Sequence, residues 1–593
     1  MSIALASTGL PGPVNGGVDG GVDVWTDAGE RVSLGPDDFV AGGGEGNVYA
    51  VGDRGFKLAH DPARACPVGK IAALRRIADP RVLAPRGGLH RRSGRRRIHV
   101  GHELPFVANA RTACELVPIA FRRRHGLPPT TIPALIGSLR EVVESVHAAG
   151  CLVVDLNEAN VLVSQDFSTP YLIDADSFQA PGFPATAIVP AVHDPTRAIG
   201  DFDESTDWFS FAVVAFSLLV GIHPYRGKHP TVHGLAARMK AGISVFDSAV
   251  RVPRACLPVG SIPRPWRDWL EAVLQHGQRT PPPITSVQGL VSTGPAQPRA
   301  LAASLRMIER TRMPSAGRAP IRTPIRTVAE LHGHLLVHAG DRVHVDGQER
   351  LRCEHPLVFG ASPRGRSVAA WVEGGSLRLH DLEASVDIPC QAAARGVTSV
   401  RGTLFVTCGD EVARVELLDV GSRLVAGLRR AVMIAPRASR LWRGCVVQQL
   451  LGATTVSLLS ETGGAEQRRV PELDGLTIVD AIHERGVMVV VAARDGEHER
   501  LVLRFGPRGH HVRREANLPA HAAQLVVLDT GVCVSLDADD RLELFMRPHA
   551  SAGARWVDDP AVGGDWLLHP GDGCLLVAVG SVVYEVTMHG RTG

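Results

Sequence analysis

Beyond residue 327 the sequence breaks into short alternating strands parted by Gly and Asp turns, and this repetition limits the fold more than any other feature. The pieces are LLVHAGDRVHV from Leu335, SVAAWVEGGSLRLHD from Ser367, TLFVTCGDEVARVEL from Thr403, CVVQQLLGATTVSLL from Cys445, VMVVVAARDGEHERLVLRF from Val487, VCVSLDADDRLELF from Val532 and CLLVAVGSVVYEV from Cys574. Each reads as a hairpin. One hairpin cannot bury its apolar face alone, so successive pieces must stack into a repeated all-β array.

The starting residues step by about 30 to 45, the interval of four-stranded blades. In period and strand pattern the array resembles the WD-repeat-like β-propellers. His380 and Asp381 are the nearest approach to a Trp-Asp ending, and no Gly-His signature is present. The resemblance implies a propeller, with seven blades for seven hairpins, that recruits a protein substrate or a scaffold partner. An irregular pair of β-sandwiches is the alternative.

The 593 residues exceed what one core serves, and 45% hydrophobic against 21% charged side chains excludes a disordered chain. Lys and Arg number 64 against 61 Asp and Glu, a net charge of +3, which supplies no whole-molecule field for nucleic acid. The 10 cysteines include no C-x-x-C pair. Residues 1–10 lack a signal-peptide pattern, and the apolar run 209–222 is short of the ~20 residues a membrane span needs. A cytoplasmic protein with no membrane partner is expected. Residues 1–22 read as a disordered arm and 23–294 as a mixed α/β region with strands first and helices later. Residues 295–327 read as a basic Pro/Ala/Arg linker with one short helix near 301–310, and 328–593 as the all-β domain.

The chemistry gathers in residues 39–207. AGGGEGNVYA supplies Gly42, Gly43, Gly44 and Gly46 at a turn before a strand through Val48, where backbone N–H groups approach an anion closely. The returning strand FKLA carries Lys57 among apolar neighbours. LVVDLNEANVLV places Asp155 and Asn160 five positions apart, and YLIDADSF places Asp174 directly after a β-run. Oxygen ligands at loops suit Mg²⁺ with substrate phosphates. Taken singly, Lys57 reads as well as a snorkelling edge residue, Asp155 as a turn cap and Asn160 as a residue bonding its own backbone.

In order and spacing these pieces resemble the protein kinase superfamily, specifically a compact bacterial Ser/Thr kinase-like branch with D-L-N-x-x-N and I-D-x-D-S-F-Q motifs. The resemblance covers about residues 34–294. It implies an α+β bilobal domain, ATP and Mg²⁺ as cofactors, and phosphotransfer to Ser or Thr. Asp155 would orient the substrate hydroxyl, Lys57 would hold the α and β phosphates, and Asn160 and Asp174 would ligate the metal, with Asp176 as the alternative to Asp174. Gly42, Gly43, Gly44, Gly46 and Val48 would cap the nucleotide, and the backbone of Glu103 to Pro105 would hold adenine. Asp207 would cap its helix and support the catalytic loop, and Arg279 would be the family's terminal arginine.

Departures from the family pattern are plain. Val153 and Val154 replace the His-Arg before the catalytic Asp, and PVGKIAALRRI at 67–77 contains no acid for Lys57, leaving Asp61, Glu115, Asp174 or the nucleotide itself. Asp194 is the nearest candidate partner for Arg279. A pseudokinase scaffold that binds nucleotide without transfer is the second reading. A nucleic-acid role through the linker and RRSGRRR at 91–97 is the third and least favoured.

Overall fold

The computed structural model describes residues 21–588 apart from 44, 95, 254–255, 285–304, 314–323, 495–496, 519, 548–552 and 560. The expected arm at 1–22 lies outside these residues except at its end, where Val22 already begins a strand.

The first region opens with one antiparallel sheet of seven strands: β1 (Val22–Thr26), β2 (Arg31–Leu34), β3 (Phe39–Gly42), β4 (Gly46–Val51), β5 (Arg54–Ala59), β6 (Gly87–Ser93) and β7 (Arg96–Pro105). Their order is β2-β1-β6-β7-β5-β4-β3. Between β5 and β6 lies helix α1 (Val68–Leu74), whose buried face carries Ile71 and Leu74. A small sheet follows, with β9 (Val161–Val163) between β8 (Arg111–Thr112) and β10 (Pro170–Leu172). Its neighbours are α2 (Ile119–Arg124) and α3 (Thr131–Ala148), where Ile132, Leu135, Ile136, Leu139, Val142, Val143 and Val146 recur at helical spacing on the buried stripe.

Helix α4 (Glu204–Val220) is buried almost all round, as its continuous apolar run requires. Asp203 caps it, accepting from Ser205 N and Thr206 N, and Gly221 ends it with φ +93°. The expected cap, Asp207, lies instead in the first turn. Two shorter helices, α5 (Leu235–Ala241) and α6 (Arg264–Leu274), complete this part, and α6 lays Trp266, Trp269 and Leu270 on α4.

The expected helix near 301–310 is a strand, β11 (Leu305–Arg312). Leu305 is its buried end, and alternation with exposed Arg and Glu favours a sheet edge over a helix. Residues 295–304 and 314–323 of the expected linker lie outside the described residues. From β12 (Ile325–Leu331) onward the chain forms four-stranded antiparallel sheets, and each hairpin read from the sequence is the middle pair of one of them. The first strands of successive sheets touch in sequence, and Leu567–Pro570 of the last returns to β12. β11 joins that last sheet by pairing with Val582–Met588.

The expected class, an α+β bilobal kinase-like domain followed by a propeller, is therefore corrected. Strands hold 44% of residues and helices 16%, in many small antiparallel sheets and one half-barrel, so the molecule is mainly β. Of the expected helices, the one near 301–310 is the strand β11.

The two halves share buried polar contacts. Arg440 donates with both terminal nitrogens to Glu115, whose side chain is fully buried. Arg124 lies 3.0 Å from Asp480, and Arg437 donates to the carbonyl of Ala50.

Candidate functional site

Lys57 sits in β5 opposite Val48 of β4 and His102 of β7, so the three side chains share one face of the sheet. That approach needs Gly101: a Cβ there would lie 2.0 Å from the carbonyl oxygen of Lys57. Across the cleft, Asp174 stands two residues past the end of β10 in the left-handed region, φ +59°, and opens a one-turn 3₁₀ helix through Ser177. The turn delivers two carboxylates to one ammonium. Lys57 Nζ donates to Asp174 Oδ1 at 2.5 Å and to Asp176 Oδ1 and Oδ2 at 2.9 and 2.8 Å.

These two acids differ. The Asp174 side chain is 34% exposed and that of Asp176 13%. Burial works against the charge on Asp176, but the Lys57 ammonium, bonded to both its oxygens, holds its carboxyl below the ordinary aspartate value. Burial likewise opposes the charge on Lys57, yet Asp176 and then Asp174 outweigh it and push the ammonium above the ordinary lysine value. Burial drives the His102 imidazole down to about 4. Asp176 therefore fills the place of the missing helix acid, and Asp174 keeps Oδ2 without a hydrogen-bond partner among the described residues.

Asp155 stands in the loop between α3 and β9. Its Oδ1 accepts from Val189 N at 2.8 Å and its Oδ2 from Asn160 Nδ2 at 3.1 Å. Burial raises its carboxyl above the ordinary value, and Asp174 adds to the rise. Asn160 also donates to the Asp155 carbonyl, which leaves Asn160 Oδ1 as its acceptor, and Ile173 N donates to the Asn160 carbonyl. Lys57, Asp174, Asn160 and Asp155 thus form one connected array. Asn157, given no role in the sequence reading, shapes the loop: its Oδ1 accepts from Ala159 N and Asn160 N.

The loop is held from beneath. Asp207, fully buried, accepts from Val153 N and Val154 N at 2.8 Å each and from His147 Nε2 at 2.9 Å. Val154 takes φ +64°, a costly conformation for a β-branched residue, and the two amide bonds hold it there. Arg279 pairs with Asp194 at 2.5 and 2.9 Å and lies over the Phe209 ring.

Other expected residues are placed differently. Gly44 lies outside the described residues. Gly42 ends β3, while Gly46 begins β4, where a Cβ would meet the Leu58 carbonyl at 2.3 Å. Gly46 is thus required by strand packing. The Gly43 amide donates to Gly46 O at 2.9 Å, so it closes the turn and does not face a ligand. At the expected adenine anchor, Glu103 O accepts from Arg86 N at 2.6 Å, its side chain pairs with Arg54, and Pro105 has no N–H to donate. Among the other candidate partners of Lys57, Asp61 accepts from Ala63 N, and Glu115 is taken by Arg111 and Arg440.

Sequence reasoning also missed Lys70. Helix α1 brings a buried lysine where an acid was sought, and burial lowers its ammonium below the ordinary value, with Cys66 and Asp176 acting in the opposite direction. Its Nζ lies 3.4 Å from Pro184 O.

Among the described residues no group of three or more His, Cys, Asp or Glu is disposed to hold a metal ion. Asp174 Oδ2 and Asn160 Oδ1 are hard oxygen donors, a pair that fits Mg²⁺ shared with substrate phosphates. No helix among the described residues is long and apolar enough to cross a membrane. Compared with known proteins, the sequence matches no family model and no curated protein.

Proposed function

We propose that the chain is an ATP-dependent protein Ser/Thr kinase. The connected array of Lys57, Asp174, Asn160 and Asp155 carries this reading, because it joins a phosphate-binding cation, two oxygen donors and a partly desolvated carboxylate in one cleft. Lys57 would share its ammonium between Asp174, Asp176 and the phosphates of the nucleotide. Asp174 and Asn160 would hold Mg²⁺, which when bound neutralises charge on the phosphates. Asp155 would accept a hydrogen bond from the substrate hydroxyl and orient its lone pair toward phosphorus, with its raised pKa favouring proton acceptance late in transfer. The C-terminal sheets would recruit the protein substrate.

The second reading, a scaffold that binds nucleotide without transfer, is favoured by one observation: both oxygens of Asp155 are already engaged, by Val189 N and Asn160. Labelled ATP with magnesium separates the two. The kinase reading expects transfer to a generic Ser/Thr substrate or to the chain itself, abolished in Asp155→Asn with nucleotide affinity retained. Wild type that binds ATP but behaves like Asp155→Asn in every transfer assay leaves the scaffold.

A further inference from the structure

A cavity lies away from the cleft. It encloses about 760 Å³ where the first strands of the C-terminal sheets converge beneath β8 and α2, within the range of small-molecule sites. Phe121, Trp442 and Phe359 give it apolar wall. Its charged groups are unevenly partnered. Asp480 is consumed by Arg124 at 3.0 Å and by the amides of Ala481 and Ala523. Glu484 is consumed by Arg401 and the amide of Val527.

Arg443 differs from both. It donates to the carbonyl of Ala523, makes no ion pair among the described residues, and its Nε has no hydrogen-bond partner there. His569 Nε2 is in the same position. Arg443 and Arg124 are the charges that perturb the His569 imidazole, and Asp480 and Arg124 are those that act most on Arg443, so the four groups share one neighbourhood. Arg443 lines the cavity half-buried with no ion pair in contact among the described residues, and a planar oxyanion would give its guanidinium a close counter-charge with paired hydrogen bonds. Asp480 attracts Arg443 from a distance but pairs in contact with Arg124, Ala481 N and Ala523 N instead.

From this geometry we infer that the cavity is a binding site for a small organic molecule bearing a phosphate or carboxylate group, with its oxyanion on Arg443 and His569 and its body against Phe121 and Trp442. Binding there is independent of the phosphotransfer reading. Arg124 and Phe121 belong to the first half, so the ligand would touch both halves of the chain.

Calorimetric titration of the full chain with inorganic phosphate and, separately, with citrate tests this. At least one probe is expected to bind saturably, and which one does so separates phosphate from carboxylate ligands. Arg443→Gln should weaken that binding by about tenfold or more, and Lys57→Met should leave it unchanged, which separates the cavity from the nucleotide cleft. If Arg443→Gln does not fold, His569→Leu and Arg443→Lys, which loses the fork but keeps the charge, must each weaken binding. Absence of saturable binding by both probes overturns the inference, as does undiminished affinity in the Arg443 and His569 variants.

Discussion

Asp176→Asn is the perturbation that best separates the two acids on Lys57. At 2.8 Å and an effective dielectric constant of about 20, the attraction between Asp176 and the ammonium is roughly 6 kcal/mol gross. Most of this does not appear in the net loss: the pair is desolvated, Asp174 still neutralises Lys57, and the asparagine carbonyl keeps one hydrogen bond. A loss of about 2–3 kcal/mol in urea unfolding at pH 7 is expected. Asp174→Asn should lose less, because its side chain is one-third exposed, yet it should weaken magnesium nucleotide binding more. The pH dependence follows from the directions of the shifts. The Asp176 carboxyl is depressed in the folded chain, so its contribution is full above about pH 4, the unfolded aspartate range, and fades as pH falls through the folded value. The Lys57 ammonium is raised, so its contribution is full below about pH 10 and fades only above that. The difference between wild type and Asp176→Asn should hold from pH 5 to 9 and shrink below 4. If Asp174→Asn is the more destabilised variant while Asp176→Asn loses more metal-nucleotide affinity, the assignment is reversed.

Gly46→Ala should cost about 2 kcal/mol in unfolding free energy, because its Cβ meets backbone, while Gly43→Ala, whose Cβ would meet only the Gly46 carbonyl at 4.0 Å, should be near neutral; equal tolerance refutes the packing role. Asp207→Asn should lose about 2 kcal/mol and most transfer activity, since one amide of Val153 or Val154 would face a donor; full activity would show that the loop holds its shape without the charge. Arg440→Ala should cost about 3 kcal/mol by stranding half of the buried Glu115 pair, and a loss under about 0.5 kcal/mol in the urea midpoint would remove that contact from the stabilising set.

Much of the candidate site was legible because Asp155, Asn160 and Asp174 lie in loops beside short strands and Lys57 inside an apolar strand, where local pattern fixes position. Lys57, Asp155, Asn160 and Asp174 could be singled out that way. The role of Asp176 could not, because it depends on a left-handed turn at Asp174 and on Lys57 from a strand 119 residues earlier. The hairpins from Leu335 onward were visible because the middle strands of each sheet are the most apolar. Their outer partners, such as Gln348–Arg352 and Ala465–Arg469, are polar and exposed and carry no comparable signal. The contact of Glu115 with Arg440, and the pairing of β11 with the final strand, join residues 270 or more positions apart, and no local period encodes either. The helix expected in place of β11 failed for that reason: its partner strand decided its conformation.

The pairing of β11 with Val582–Met588 also sets a timetable. A ribosome that has just released β11 has 276 residues still to translate before Met588, about 15–55 s at about 5–20 residues per second. During that interval β11 is a strand edge awaiting its mate, and the incomplete array offers the same edge to other chains. Nascent chains arrested before the final strand should therefore be the aggregation-prone and chaperone-dependent species, and release of the last hairpin should end that exposure in one step.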